Sequence, residues 1–268
     1  MGIITISRGS FSKGREVAQA VARQMNYTPV SREIIIQASR EFNVPEIKLA
    51  RALHDGPSIF ERFTYSKERY LAHIEAALLE SLQRDDVVYH GLAGHFFVRN
   101  ISHVLKVRII AEPEARIQAM MTAERISRRE ALDRLKKDDY ERREWSLKLH
   151  GIDTADSKLY DLVVHINHLT VDDAADIICQ AAGLPQFQTT PQSRKALDDL
   201  ALAAKVKAAN VARYPSCSVS ADGGSVVVRV HAAETLENQI VADITRVAAK
   251  IAGVKQVCVH VTPITLFE

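Results

Sequence analysis

Cysteine is scarce in this chain. Its three cysteines, Cys179, Cys217 and Cys258, lie far apart with no CxxC spacing, which excludes a disulfide framework and a cysteine metal centre and predicts reduced, buried thiols. An excess of one charge is lacking as well. The 35 Lys and Arg against 33 Asp and Glu leave +2, and no basic stripe is interleaved with aromatics, so nucleic acid is not an expected partner. No apolar run approaches the roughly 20 residues that a bilayer crossing needs, so no transmembrane segment is expected. The first apolar run begins at Ile3 with neither a basic n-region nor an h-region, which predicts a cytoplasmic protein.

What is present suits a core. With 268 residues, 47% of them hydrophobic, the chain has room for one domain of ordinary size and a small companion. The first stretch is the most informative. Ile3 to Arg8 is a β-branched apolar run, Gly9-Ser10-Phe11-Ser12-Lys13-Gly14 is a small loop, and Val17, Val21 and Met25 then recur at helical spacing. A strand, a glycine-framed loop and a helix start together cradle phosphate, because loop N–H groups and the positive helix end point at the same anion. Gly9, four residues and Gly14 match the frame of a Walker A loop. Arg15 and Glu16 stand where that motif has Lys and Ser/Thr, so the cation is altered and the Mg²⁺ hydroxyl is missing. Arg8, Lys13 and Arg15 crowd one short segment, which no ordinary turn requires.

Beyond it, Asn26 to Pro29 reads as the turn that ends the first helix, and Ser31 reads as the N-cap of the next. Apolar spacing predicts a long helix from about Phe60 to Leu82. Asp86 to Gly91, Leu105 to Ile110 and Tyr160 to Ile166 read as further strands, with Pro113, Ser127 and Thr170 opening helices between and after them. Strands alternating with helices predict an α/β fold with a parallel sheet flanked by helices and a ligand crevice at the strands' carboxyl ends.

Residues 185–194 are polar, proline-punctuated and without period, and read as a linker between a domain at 1–184 and a small α+β domain at 195–268. The second domain reads as helix 196–212, strand 217–221, an Asp222-Gly223-Gly224 hairpin, strand 226–231, helix 235–252 and strand 256–262.

The charged stretch Glu130 to Glu144 reads in isolation as a solvated helix face with Glu130–Arg134 and Asp138–Arg142 pairs. His90 and His95 flank a glycine turn and read as structural. His165 and His168, three apart on a strand, face opposite ways, so no metal site is expected. Trp145 ends an amphipathic pattern, where packing competes with stacking on a base.

Six fragments then stand in a familiar order: ITISR at the start, Gly14-Arg15-Glu16, SREIIIQAS from Ser31 to Ser39, VVYHGLAG from Val87 to Gly94, LKKDDYERREW from Leu135 to Trp145, and YDLVV from Tyr160 to Val164. In these, residues 1–184 resemble the cytidylate-kinase-like proteins, a branch of the P-loop nucleoside monophosphate kinases. The resemblance implies that Arg8, Gly9, Ser10, Ser12, Lys13, Gly14, Arg15 and Glu16 hold ATP with Mg²⁺. It implies that Ser31, Arg32, Gly91, Gly94, Lys137 and Asp139 line the acceptor side, and that Arg15 and the lid residues Arg142 and Arg143 are catalytic. The chain departs from the family's pattern at Phe11 and Lys13, where a more glycine-rich loop is usual, at Ser31, where an acid is frequent, and at Leu92, where an arginine follows the glycine.

Residues 195–268 look like a BON domain through LALAAKVKAA from Leu200 to Ala209, Val226 to Val228, and Gly253-Val254; that resemblance implies a small ligand or a membrane surface. Two functions follow from the whole. One is a kinase moving the ATP γ-phosphoryl to CMP or a related nucleotide. The other is a catalytically inactive nucleotide or phosphate sensor coupled to the C-terminal domain. A homodimer stays open under either.

Overall fold

Five parallel strands carry the first part of the chain. The computed structural model describes residues 2–31, 33–41, 66–91 and 94–263. Strands β1 (Ile3–Arg8), β2 (Thr28–Val30), β3 (Val87–His90), β4 (Val104–Ala111) and β5 (Leu162–Ile166) form one sheet in the order β2-β3-β1-β4-β5. β1 is paired on both sides, Ile3 lying opposite Val87 and Val104, and Ile6 opposite His90 and Val107. Its isoleucines and the facing Val87, Val88, Val104 and Leu105 are buried, as both faces of a parallel sheet must be. The sequence reading missed β2, taking Asn26 to Pro29 for a turn. The strand is short and contains Pro29, which is tolerated because β2 is the edge of the sheet.

The helices of this part are α1 (Gly14–Met25), α2 (Glu33–Glu41), α3 (Ser66–Leu82), α4 (Gly94–Phe97), α5 (Pro113–Glu124), α6 (Arg128–His150) and α7 (Val171–Ala182). Val17, Ala18 and Val21 of α1 and Ala174, Ala175 and Ile178 of α7 bury their apolar stripes with Ile4, Ile6, Val107 and Ile109. Each large aliphatic so buried contributes about 1.5–3 kcal/mol. Helix starts follow capping chemistry. Ser127 and Glu130 form a reciprocal box at α6, and Thr170 and Asp173 form another at α7. α2 spans Glu33–Glu41 and Arg32 before it lies outside the described residues; the Ser31 amide donates to the Glu33 carboxylate at 2.8 Å.

The later elements are α8 (Pro191–Asn210), β6 (Ser218–Asp222), β7 (Ser225–Ala232), α9 (Glu237–Ala248) and β8 (Gln256–Pro263). α8 starts within the stretch read as linker, which also holds a single 3₁₀ turn, Pro185–Phe187. β6 runs antiparallel to β7 and β8 parallel to it, with β7 central. Gly223 (φ 56°) and Gly224 (φ 95°) supply the two left-handed residues of a two-residue hairpin between Asp222 and Ser225. Cys217 is buried, whereas Cys258 on the edge strand β8 is exposed, contrary to expectation, because it sits on the sheet's uncovered face.

The fold divides into two units that do not follow chain order. Among the described residues, the first takes those up to Glu33 and Arg84 to Ser193; the second takes Ile34 to Glu41, Ser66 to Gln83 and everything from Arg194 onward. Within the second, Lys205 of α8 pairs with Glu80 of α3 at 2.6 Å, Gln37 of α2 donates to the same carboxylate, and Gln83 donates to Asp198. No described helix is long and apolar enough to cross a membrane.

Candidate functional site

β1 hands the chain to the loop at Arg8, and α1 resumes at Gly14. Phe11 and Lys13, the positions that lack glycine, adopt left-handed backbone at φ 56° and φ 60°. Phe11 packs against the small core of Ile117, Met120, Ala131 and Leu135 from α5 and α6. Gly14 is required by contact. A Cβ there would lie 2.6 Å from the Arg8 Cβ and 2.8 Å from its Cδ, so Arg8 lies across the start of α1 only because that residue is glycine.

A cavity of about 220 Å³ opens above this loop, lined by Arg8, Arg108, Arg116, Arg142 and Arg143 together with Asp139 and Asp153. Five guanidiniums against two carboxylates leave three net positive charges, the signature of an anion site. Both carboxylates are taken: Asp139 by Arg116 at 2.8 and 2.9 Å, Asp153 by Arg143 at 2.8 Å. Burial, then repulsion from Arg142, holds the Arg8 guanidinium below its ordinary pKa, and its Nε is buried with no hydrogen-bond partner among the described residues. Burial lowers Arg142 too, against the pull of Asp138 and Asp139. A bound anion would relieve both costs.

Helix α6 is fastened to the loop. The Ser10 hydroxyl donates to Asp138 at 2.8 Å, Arg116 Nε donates to the Ser10 carbonyl at 2.8 Å, and Arg142 Nη1 reaches the Arg8 carbonyl at 3.4 Å. Glu130 to Glu144 is therefore a largely exposed face, self-paired at Lys137–Glu141, that also holds the loop. Asp138 accepts from Ser10 while still attracting Arg142, and Arg134 pairs with Glu124 while Glu130 caps Ser127.

Of the residues anticipated from sequence, Arg8, Gly9, Ser12, Gly91, Asp139, Arg142 and Arg143 line this cavity. Ser10 stands beside it through its bonds to Asp138 and Arg142. Lys13 lines a second cavity of about 240 Å³ with Phe11, Asn167, His168 and Thr170. Arg15 and Glu16 are exposed on the first turn of α1 and line neither cavity. Ser31 also lies outside both. Lys137 is exposed and pairs with Glu141 at 3.8 Å. Gly94 is explained by packing, since a Cβ there would come within 2.3 Å of the Tyr89 ring, and one at Gly91 within 2.6 Å of the Tyr89 hydroxyl. Arg32 and Leu92 fall outside the described residues, as does the Trp145 side chain.

Sequence reasoning missed Arg108 and Arg116. A signal existed for the first: an arginine inside the buried run Val104 to Ile110 needs a polar cavity or a partner. Arg116, one turn into α5, looks like any helix arginine. His95, which reads from sequence as structural beside a glycine turn, is 3% exposed, lines the cavity and meets the Tyr160 hydroxyl at 3.3 Å.

Comparison with known proteins matches this architecture. A cytidylate kinase from Sulfolobus acidocaldarius is 26% identical over 176 residues, 65% of this chain and 91% of that protein. The crystal structure of an uncharacterized protein from Eubacterium ventriosum superposes at a TM-score of 0.52 with 17% identity, covering 68% of this chain and 98% of that one, a likeness of fold. The model of the cytidylate kinase-like family matches residues 3–168, from the first strand through the turn beyond β5. The chain therefore belongs to the cytidylate kinase-like family.

Proposed function

We propose that the protein is a nucleoside monophosphate kinase, moving the ATP γ-phosphoryl to CMP or a related nucleotide by in-line displacement. The observation that carries this is the cavity with five guanidiniums and two carboxylates between the loop and α6. Phosphoryl transfer asks little covalent chemistry of the protein. Positioning and charge neutralisation dominate, and fixed arginines in a half-enclosed site supply both. Arg8, with its unsatisfied Nε, grips the donor phosphates beside the α1 amides. Arg142 and Arg143 neutralise charge on the group in transit. Arg15, exposed at the helix start, adds to the field without contact, as its lowering effect on Arg8 indicates. Gly91 and Asp139 bound the acceptor side, with Ser31, Arg32, Gly94 and Lys137 as further members. The second cavity, beside Lys13 and Thr170, suits the donor base and ribose.

Magnesium fits as the ATP complex. Asp139 and Asp153 are committed to arginines, and the described residues hold no group of three metal-ligating side chains. Mg²⁺, which keeps water and binds phosphate oxygens, would ride on the nucleotide and neutralise its charge. Residues 195–268 are proposed as a BON-like domain after a linker at 185–194 and a kinase-like domain at 1–184. The α-β-β-α-β order of α8 to β8 supports that reading. A small ligand there, a homodimer and a cytoplasmic location complete the proposal.

The test is ADP formation from ATP·Mg²⁺ with CMP, dCMP and UMP as acceptors. Acceptor-dependent turnover that collapses in Arg142→Ala supports the kinase. ATP binding without turnover on any acceptor replaces it with the sensor.

A further inference from the structure

We propose that Arg108 is an anion-gripping residue of the cavity and that Tyr160 is the positioning residue that aims it. The kinase reading enters only in naming the anion as a nucleotide phosphate.

Tyr160 stands just before β5 and is 8% exposed. Its hydroxyl lies 3.0 Å from the Thr154 carbonyl, 3.2 Å from Ser7 Oγ, 3.2 Å from Arg108 Nη1 and 3.3 Å from His95 Nε2. All four of these partners line the cavity, and Tyr160 stands behind them. A phenol has one proton and two lone pairs, a guanidinium only donates and a carbonyl only accepts. Arg108 Nη1 therefore donates to the Tyr160 oxygen, and it also donates to the Thr154 carbonyl. Both protons of that one nitrogen are thus spent on the wall.

The consequence lies on the other edge of the fork. The bonds of Arg108 to described residues use Nη1 alone, leaving Nε and Nη2, the pair suited to bidentate phosphate binding. The Arg108 guanidinium carbon also sits 5.5 Å from the Tyr160 ring centroid. A tether is needed, because Arg8, Arg116, Arg142 and Arg143 share the cavity and repel a fifth cation. A neutral phenol can hold that cation in place without neutralising it, whereas a carboxylate would cancel the charge an anion seeks. Phenylalanine at 160 keeps the ring and removes the tether.

The experiment is titration calorimetry with inorganic pyrophosphate on the full chain at fixed salt, using wild type, Tyr160→Phe, Arg108→Lys and the double variant, with the melting temperature of each. Each single change is expected to weaken pyrophosphate by about tenfold, the scale of a hydrogen bond to a charged group. The double variant should be no weaker than Arg108→Lys, since the tether has nothing to hold once the fork is gone. Should Tyr160→Phe not fold, Arg108→Met keeps the apolar stem and must lose the same affinity. A Tyr160→Phe protein that melts lower yet binds as wild type has lost only packing and overturns the proposal, as do losses that multiply in the double variant or a wild type that does not bind pyrophosphate. Turnover is scored separately. Absence of ADP formation alongside non-additive binding removes the kinase and keeps the Tyr160–Arg108 pair.

Discussion

Arg116 grips Asp139 through two parallel hydrogen bonds, Nη1 to Oδ2 at 2.9 Å and Nη2 to Oδ1 at 2.8 Å, while its Nε donates to the Ser10 carbonyl. One guanidinium from α5 thereby joins helix α6 to the glycine-framed loop. Arg116 is 14% exposed and Asp139 45%, so the pair is partly screened. Arg116→Ala should cost about 1–2 kcal/mol, more than Asp139→Asn, because it also strands the Ser10 carbonyl. Urea denaturation of both variants measures this, and equal midpoints would show that the loop contact contributes nothing.

Catalysis should separate two arginines that look alike in sequence. Arg142→Ala is expected to lower kcat by about 100-fold or more, the scale of a lost transition-state donor. Arg15→Ala, outside the cavity, should change kcat by less than about tenfold through the field alone. Steady-state kinetics at two ionic strengths checks both, since only the Arg15 effect should fade with salt.

Lys13 gives a stability prediction. It is exposed and sits at φ 60° as the residue before α1, with no side-chain cap bond. Left-handed backbone costs an L-residue about 1–2 kcal/mol, and glycine's extra freedom in the unfolded chain returns part of that. Lys13→Gly should therefore stabilise by about 0.5–1 kcal/mol in thermal or urea melts. The paired measurement of ATP affinity shows whether the lysine charge also serves the ligand.

Acid should destabilise the fold through buried histidine. Burial first, then Arg8 and Arg15, with Glu33 opposing, lowers His90 to about 4. His73, buried and beside Arg69, is also lowered to about 4. The unfolded chain takes up these protons as pH falls through about 6.5, whereas the folded chain resists until about 4. The contribution is complete above pH 6.5, declines between 6.5 and 4, and is level below. Each histidine should account for on the order of 1–2 kcal/mol across that window, after discounting for solvent screening. Urea midpoints from pH 7.5 to 4.5 read it, and His90→Phe should flatten the curve.

The strands were legible where apolar runs are long. β1, β3, β4 and β5 fall where the sequence places them, the central β1 as an aliphatic run buried on both faces and the edge strand β5 as an alternation of buried and exposed residues. β2 escaped notice because three residues with a proline carry no period. The loop was legible from its glycine frame, but the packing over it was not: the space over Gly14 is taken by Arg8, while Arg15 is exposed. Arg108 and Arg116 could not be placed, since their partners Thr154, Tyr160 and Asp139 are remote in sequence and meet them only in the folded sheet. The hydrogen-bond partners of the charged residues in α6 were illegible for the same reason, Asp138 accepting from Ser10 across the loop while still attracting Arg142.

The ties between α3 and α8 bear on the order in which the protein is made. A nascent chain emerges with Glu80 and Gln83 exposed well before Asp198 and Lys205, more than a hundred residues later, have been synthesised, so α3 waits for a surface that arrives late. The region that matches the family, released on its own, would leave Glu80 without its ammonium and Gln83 without its carboxylate. α3 and α8 therefore complete one unit only when two widely separated stretches of the chain are both present.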